Sequence, residues 1–468
     1  MKVSPGAAAA AVLAFLVAVS PAWAQRPASA ASPRDPFLRG VPASEQPGPP
    51  ISLTLSDALR RGLDRNLGVL LEQQQLRSAE GERWRYLSGL LPDVQAVVRE
   101  SQQRVNLAAF GFSGFPGVPK VIGPFEVFDA RVAVSQAVFD YSAIQEAREG
   151  AALEKAAAHT YQDARNLVVL VVTNLYLQTI AADSRVAAAQ AQLAAAESLY
   201  QLAVDQKSAG VVAGLDVLRA DVERKAAQQR RIAAANELDR TRLQLARAIG
   251  LPAAQEFSVA DRIEYAPRPP IAVQDAVVRA IRQREDVQTA QARVDAATAA
   301  VSSARGDLLP SLHVQADYGS IGTSPVDTDA TYTVAGAVRI PLFDRGRTHA
   351  EIVQRQAELT ERQAELADLK NGVAYEVQLA VNDLAAAAQQ VEVAQTAADL
   401  AGQALTQAED RFRAGVASNI EVVQAQQADA AARESYIASL YAHNLAKAAV
   451  ARALGISEQE FLKFLTGQ

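Results

Sequence analysis

The sequence predicts a mainly α-helical chain that also carries membrane β-strands, built as two structural repeats. Three observations lead there. One unit is written twice, two proline-free stretches are too long for a globular core, and short alternating segments precede each of them.

The repeat is read from five ordered matches. Asp57-Ala58-Leu59 and Asp275-Ala276-Val277 lie 218 positions apart, as do Leu90-Leu91-Pro92 and Leu308-Leu309-Pro310. Val138-Phe139-Asp140 and Leu342-Phe343-Asp344 lie 204 apart. Ala209-Gly210-Val211 recurs at Ala414-Gly415-Val416, and Ala246-Arg247-Ala248-Ile249-Gly250 at Ala451-Arg452-Ala453-Leu454-Gly455, both after 205 positions. The drop from 218 to 204 puts about 14 extra residues of the first copy between Pro92 and Phe139. The organisation that follows is a signal peptide at 1–24, a flexible leader at 25–52, a first repeat at 53–262 and a second at 263–468.

The export signal is Lys2, an apolar stretch from Ala7 to Val19, and the small-x-small pattern Ala22-Trp23-Ala24, which predicts cleavage before Gln25. A core of about 13 residues falls short of the roughly 20 that a spanning helix needs. The leader is rich in Pro, Ala and Ser, a composition that predicts flexibility. There is no cysteine, which removes disulfides, thiolate chemistry and a cysteine-linked lipid. After the signal no uninterrupted apolar run approaches about 18 residues. The most hydrophobic stretch, Leu167 to Ile180, is broken by Thr173, Asn174 and Gln178. Any insertion into a membrane is therefore expected to use β-strands.

Each repeat then reads as helix, two strands, very long helix, tight turn, shorter helix. The first helices are expected at Thr54 to Ser88 and Gln274 to Gly306, stopped by Pro92 and Pro310, because proline lacks the N–H and clashes with the preceding turn. Strands are expected near 93–105 and 125–138, and near 311–320 and 331–342. Phe128, Ala130, Val132 and Val134 alternate with Asp129, Arg131 and Ser135. Tyr332, Val334, Val338 and Ile340 alternate with Thr331, Thr333 and Arg339. Such alternation suits either a half-buried sheet, in general the more common case, or a strand of a membrane barrel, and periodicity does not separate them. Asn106 to Pro124, with its extra Gly and Pro, reads as a loop.

Length separates the two readings. The long helices, near 140–208 and 344–413, would each measure about 105 Å. The tips are 209–214 and 414–419, and the helices leaving them run to about 250 and 455, close to 60 Å; those before the strands are near 50 Å. Two short rods end to end thus equal one long rod. No globular core encloses rods of that length, so they must pack side by side.

Composition excludes other functions. A net charge of -6 with no basic block argues against nucleic acid. His159, His313, His349 and His443 are scattered without ligand spacing. The run Phe110 to Gly117 lacks a following Lys-Ser/Thr, so it is no phosphate loop. No nucleophile–base–orienter set presents itself, and neither an enzymatic activity, a cofactor nor a metal is expected.

At the turns, Gly210-Val211-Val212-Ala213-Gly214-Leu215-Asp216-Val217-Leu218 and Gly415-Val416-Ala417-Ser418-Asn419-Ile420-Glu421-Val422-Val423 resemble the two helix-hairpin tips of the TolC-like outer-membrane efflux family. Leu-Leu-Pro before a strand and Phe-Asp after one belong to the same likeness, which runs from about Leu53 to the end. The resemblance implies a homotrimer in the bacterial outer membrane. Four strands per chain would close a 12-stranded β-barrel, continued into the periplasm by a long α-helical barrel. A mixed belt would involve Pro252 to Pro270 and Ile456 to Gln468. Closure between chains would also remove sheet edges that lipid does not tolerate.

The same resemblance implies an outer-membrane channel of a tripartite efflux pump or type I secretion system, a passive exit duct gated at its periplasmic tip. Its partners would be a periplasmic adaptor, an inner-membrane transporter and outer-membrane lipid. Gate positions would be Glu421, Gln424 and Asp216, with Ala417 standing where the best-known member has a locking arginine. Adaptor-facing positions would be Gly210, Val211, Gly214, Leu215, Gly415, Val416, Ser418 and Ile420. The glycines also end helices, and Asp216 and Glu421 can equally serve a helix dipole. A periplasmic adaptor, with one hairpin between β-domains, is the first alternative; a soluble coiled-coil scaffold, or an enzyme with a helical insert, is the second.

Overall fold

The long helices start on aspartates and stop on glycines. In the computed structural model, which describes residues 35–43, 46–111, 117, 119–262, 265–267, 271–456 and 458–466, α3 (Tyr141–Ser208) and α7 (Arg347–Arg413) run 68 and 67 residues. The Asp140 side chain accepts from the Ala143 N–H at 3.1 Å. The Asp344 carboxylate accepts from the N–H groups of Gly346 and Thr348, at 3.1 and 2.6 Å. Both capture donors that the first helical turn leaves free. At the far ends Gly210 (φ 75°) and Gly415 (φ 73°) adopt the left-handed conformation. Val211 N–H then bonds the Gln206 carbonyl at 2.8 Å, and Val416 N–H the Arg411 carbonyl at 3.0 Å, closing the last turn. The returning helices are α4 (Gly214–Ala248) and α8 (Asn419–Ala453), each of 35 residues.

The helices before the strands are broken. The single rods expected at 54–88 and 274–306 are α1 (Leu55–Arg65) with α2 (Leu67–Ser88), and α5 (Val273–Gln283) with α6 (Glu285–Gly306). The breaks are Asn66 (ψ 131°) and Arg284 (ψ 130°), again 218 positions apart. Neither is a proline or glycine. Both are buried against other segments, and those contacts impose the extended backbone.

The described part of the expected leader, 35–43 and 46–52, is ordered by tertiary contacts, and the rest of 25–52 lies outside the described residues. Pro36–Leu38 forms a 3-10 turn, Gly40 bridges to Asn66, and β1 (Ile51–Leu53) pairs in parallel with β4 (Phe257–Val259). Contacts some 200 residues away in sequence order it, so local composition was the wrong guide. The expected signal peptide, 1–24, lies outside the described residues. Around this belt the core is built on α3, where Val168, Val172 and Tyr176 are fully buried, and α9 (Glu458–Thr466) packs beside it. Part of α3 is apolar enough by composition to span a membrane, but most of that stretch is buried within the protein.

The remaining strands form one antiparallel sheet in the order β2 (Asp93–Asn106), β3 (Val121–Phe139), β5 (Ser311–Ser324) and β6 (Asp327–Arg339). Three of these run past their expected ends. β3 begins at Val121 rather than near 125, because Ile122 still pairs with Val105 beyond a bulge. The hairpin between β5 and β6 is tight, so pairing continues to Ser324 and Asp327. β6 in turn stops short of 342, ahead of Pro341. The loop expected from Asn106 to Pro124 narrows accordingly to 107–120, of which 112–116 and 118 lie outside the described residues.

Next to the sheet, α3 lies between α2 and α6, and α6 packs on α7. Further along, α3 lies between α4 and α8, and α8 packs on α7. Buried Leu359, Leu366, Val373, Val377, Ala380 and Leu384 recur along α7 at spacings of three, four and seven, the seam of a coiled pair. The outer helices of the row are therefore α7 on one side, and α2 followed by α4 on the other.

Candidate functional site

Two regions carry the chemistry, the sheet and the hairpin tips. In the sheet, register partners share a face. Ala96, Val132, Tyr318 and Tyr332 form one cross-strand row and Val94, Val134, Ala316 and Val334 the next. That face is apolar, and Val132, Val134, Tyr318, Tyr332 and Val334 are all exposed on it. The opposite face carries Gln95, Asp129, Arg131, Asp317 and Thr333. Arg131 donates through Nε to Asp129 at 2.7 Å and through Nη1 to Asp317 at 3.1 Å. Its register partner is Gly319, where a Cβ would run into the Arg131 stem, so the glycine lets the side chain lie along the sheet. Apolar on one face and ion-paired on the other, the sheet is suited to divide lipid from water. Strands β2 and β6 each have one edge without a partner strand among the described residues.

At the tips the sequence-predicted residues fall into three groups. Val211 (67% exposed), Leu215 (55%), Val416 (69%) and Ile420 (45%) present apolar surface to solvent. A Cβ on Gly210 or Gly415 would meet open space, so these glycines serve the backbone turn. Gly214 opens α4, and the exposed Ser418 precedes α8 without a capping bond from its side chain. Asp216 is half-buried and reaches Arg219 at 3.5 Å. Glu421 is half-buried and faces Arg411 across the turn at 3.3 Å, while Gln424 is exposed one turn further on.

Sequence reasoning missed the residues that join the two tips. Asn419 is 1% exposed, and its Nδ2 donates to the Asp216 carbonyl at 2.8 Å. Two turns on, Gln427 Nε2 donates to Glu223 Oε2 at 3.1 Å, and Arg230 holds the other oxygen at 2.6 Å. Between α4 and α8 runs a groove of about 390 Å³, lined by Leu215, Leu218, Val222, Ile420 and Val423. The exposed leucines and valines at three- and four-residue spacing were the available signal for it.

The histidines do not converge. His159 Nδ1 lies 2.6 Å from Glu285, and His313 Nε2 lies 3.1 Å from Ser311. His443 is wholly buried against the Tyr265 ring; burial, and then the charge of Lys447, lowers it to about 4, so it is neutral. Among the described residues no group of three or more His, Cys, Asp or Glu is placed to hold a metal.

This architecture has known counterparts. The family model described as outer membrane efflux protein matches residues 59–251 and 276–456, one match in each half of the chain. The pyoverdine export outer membrane protein OpmQ of Pseudomonas aeruginosa is 25% identical over 405 residues, 86% of this chain and 85% of that protein. The solved outer-membrane channel OprN superposes with a TM-score of 0.74 at 21% identity, covering 86% of this chain and 89% of its own. The Campylobacter jejuni CmeC outer membrane channel gives 0.74 at 16% identity, covering 90% and 91%.

Proposed function

The chain belongs to the outer membrane efflux protein family, and from that premise we propose that three copies close into one conduit gated at its hairpin tips. It is the outer-membrane component of an efflux pump, and its relatives are channels. The observation that carries the trimer reading is the four-stranded sheet with an apolar face and two unpaired edges. Lipid offers no partner to such edges, so β6 of one copy must pair with β2 of the next. The helices support the same closure. Leu379, Val393 and Leu400 are exposed along α7, and Ile232 and Leu243 along α4, on the two outer helices of the row.

In this reading the ion-paired face of the sheet lines the lumen, and the tips form the periplasmic mouth. Glu421, Gln424 and Asp216 stand at the gate, and the apolar tip residues face a periplasmic adaptor that links the channel to an inner-membrane transporter. Pyoverdine, the cargo in the name of the Pseudomonas relative, is the first compound to test for export.

The mass of the detergent-solubilised complex tests the proposal. Three protomers per particle are expected, migrating on gels as a slow oligomer band before heating and as the faster single chain after it. A detergent-free, water-soluble monomer would overturn it.

A further inference from the structure

Inside each chain the two halves meet at one junction. Phe139, at the end of β3, lies in register with Leu312 near the start of β5, and Gln136 and Val134 lie in register with Val314 and Ala316. Just beyond the sheet, the start of α3 is pressed onto the end of α6. A Cβ on Gly306 would collide with Tyr141 and Ser142, and the buried Ser142 and Ser303 hydroxyls lie 2.9 Å apart. The junction thus joins Phe139-Asp140, which follows β3, to the segment that begins with Leu308-Leu309-Pro310 and runs into β5.

The counterparts of these two pieces stand apart. Phe343-Asp344 repeats the first and follows β6, and Leu90-Leu91-Pro92 repeats the second and precedes β2. β6 and β2 are the two ends of the sheet, so within one chain the pieces lie on opposite edges. The second set of side chains is correspondingly bare. Phe343 is 87% exposed against 48% for Phe139, and Val338, Ile340, Val94 and Val98 are exposed as well.

We propose that each copy completes this second junction with its neighbour, β6 taking β2 of the next copy in the register that β3 takes with β5. The repeat offsets are 204 from β3 to β6 and 218 from β2 to β5. They carry the internal pairs to Phe343 beside Val94, Ile340 beside Ala96 and Val338 beside Val98 of the next copy. All six side chains are apolar and exposed in the single chain. The match is not simply inherited, because Gln136 stands in the internal junction where Ile340 stands here. A slip of one residue would turn β2 to the wrong face. Lipid would also cover these side chains, but it asks for no register. The register rests on the trimer reading and adds what that leaves open, the stagger between copies, which is linked to the tilt of the strands and the width of the barrel.

The chain has no cysteine, so introduced pairs report without background. Val338→Cys is combined in turn with Val94→Cys, Ala96→Cys, Val98→Cys, Glu100→Cys or Gln102→Cys, five positions on one face of β2. Outer membranes are oxidised, and chains are counted on heated gels without reductant. A disulfide needs Cα atoms within about 7 Å. Covalent oligomers should peak with Val98→Cys and drop at its two neighbours, about 7–8 Å away on the diagonal. They should vanish at the outer two, about 13 Å along the strand. Should Val338→Cys fail to assemble, Arg339→Cys with Val97→Cys tests the adjoining rung, which carries over from Ser135 and Gln315. A peak at another position overturns this register and leaves the trimer standing. No cross-link anywhere in particles of trimer mass overturns it too, with lipid rather than β2 covering these side chains. Particles of monomer mass overturn the trimer reading, and the register with it.

Discussion

Glu421 and Arg411 face each other across the second hairpin tip, carboxylate to guanidinium at 3.3 Å. Three bare Glu421 side chains around a mouth would repel by roughly 0.7 kcal/mol per pair at about 6 Å in water. Arg411 compensates that charge within each chain, but the pair is exposed and worth at most about 1 kcal/mol. The two side chains should therefore act in opposite directions on ion flow. In planar bilayers at low salt, Glu421→Gln should reduce cation selectivity and multivalent-cation block a few-fold, and Arg411→Gln should increase both. The double variant should fall near the wild type, since each change removes the other's partner. If both single variants shift selectivity in the same direction, the pair does not sit at the mouth.

Asn419 is expected to hold the two tips together. Its replacement by alanine leaves the part-buried Asp216 carbonyl without this donor, at a cost of about 1–2 kcal/mol. Local opening of the tip should rise by roughly tenfold or more, as 1.4 kcal/mol is a factor of ten. Trypsin reads this directly, because Lys207, Arg411 and Arg413 are exposed beside the turns. Cleavage there should accelerate in Asn419→Ala while cleavage elsewhere does not. An unchanged rate would mean that the hydrogen bond carries no tip stability.

What was legible in the sequence was whatever local pattern dictates. The prolines, the helix-ending glycines and the aspartates at the starts of α3 and α7 repeat because each half needs the same stops and starts. The breaks at Asn66 and Arg284 were not legible, since both fall inside good helical patterns and are imposed by packing against Gly250, Gly455 and the 37–41 stretch. That stretch looked like linker, because the residues that order it, Arg65, Asn66 and Leu67, lie at the junction of α1 and α2. At the tips the apolar positions could be named from the motif. Arg411 could not, because its role depends on a turn that folds it back on a residue ten positions later. Asn419 stood only as part of the tip run 414–419, and the packing of α8 on α4 is what gives it a partner.

Acid should weaken the second break selectively. Burial works to raise the Asp286 carboxyl, but the hydrogen bonds and charge of Arg284 outweigh it and hold the group below its ordinary 3.8. A lowered carboxylate contributes stability that is full above 3.8 and is lost as pH falls below it towards the folded-state value. The thermal midpoint of the wild type should thus fall between pH 6 and pH 3. Asp286→Asn should be less stable at pH 6, by about 1–3 kcal/mol, and should lose less on acidification. Parallel losses in the two proteins would show that Asp286 contributes nothing to the acid response.

The two faces of the sheet predict opposite fates for neighbouring substitutions. Val132 and Ala133 are adjacent on β3, and the two-residue period of a strand sends them to opposite sides. Val132 pairs in register with Ala96 and Tyr318 on the apolar face, and Ala133 with Gln95 and Asp317 on the polar face. An arginine facing lipid near the middle of a barrel costs about 2–4 kcal/mol per chain, and a closed trimer carries three. An arginine at 133 would instead enter a watered lumen beside Asp317. Val132→Arg should therefore deplete the heat-modifiable oligomer from outer membranes, while Ala133→Arg assembles close to wild-type levels. The reverse pattern would mean that the ion-paired face, not the apolar one, meets lipid. Equal tolerance of both would mean that the sheet does not enter a bilayer, because only a hydrocarbon surround makes one side of a strand this unforgiving of charge.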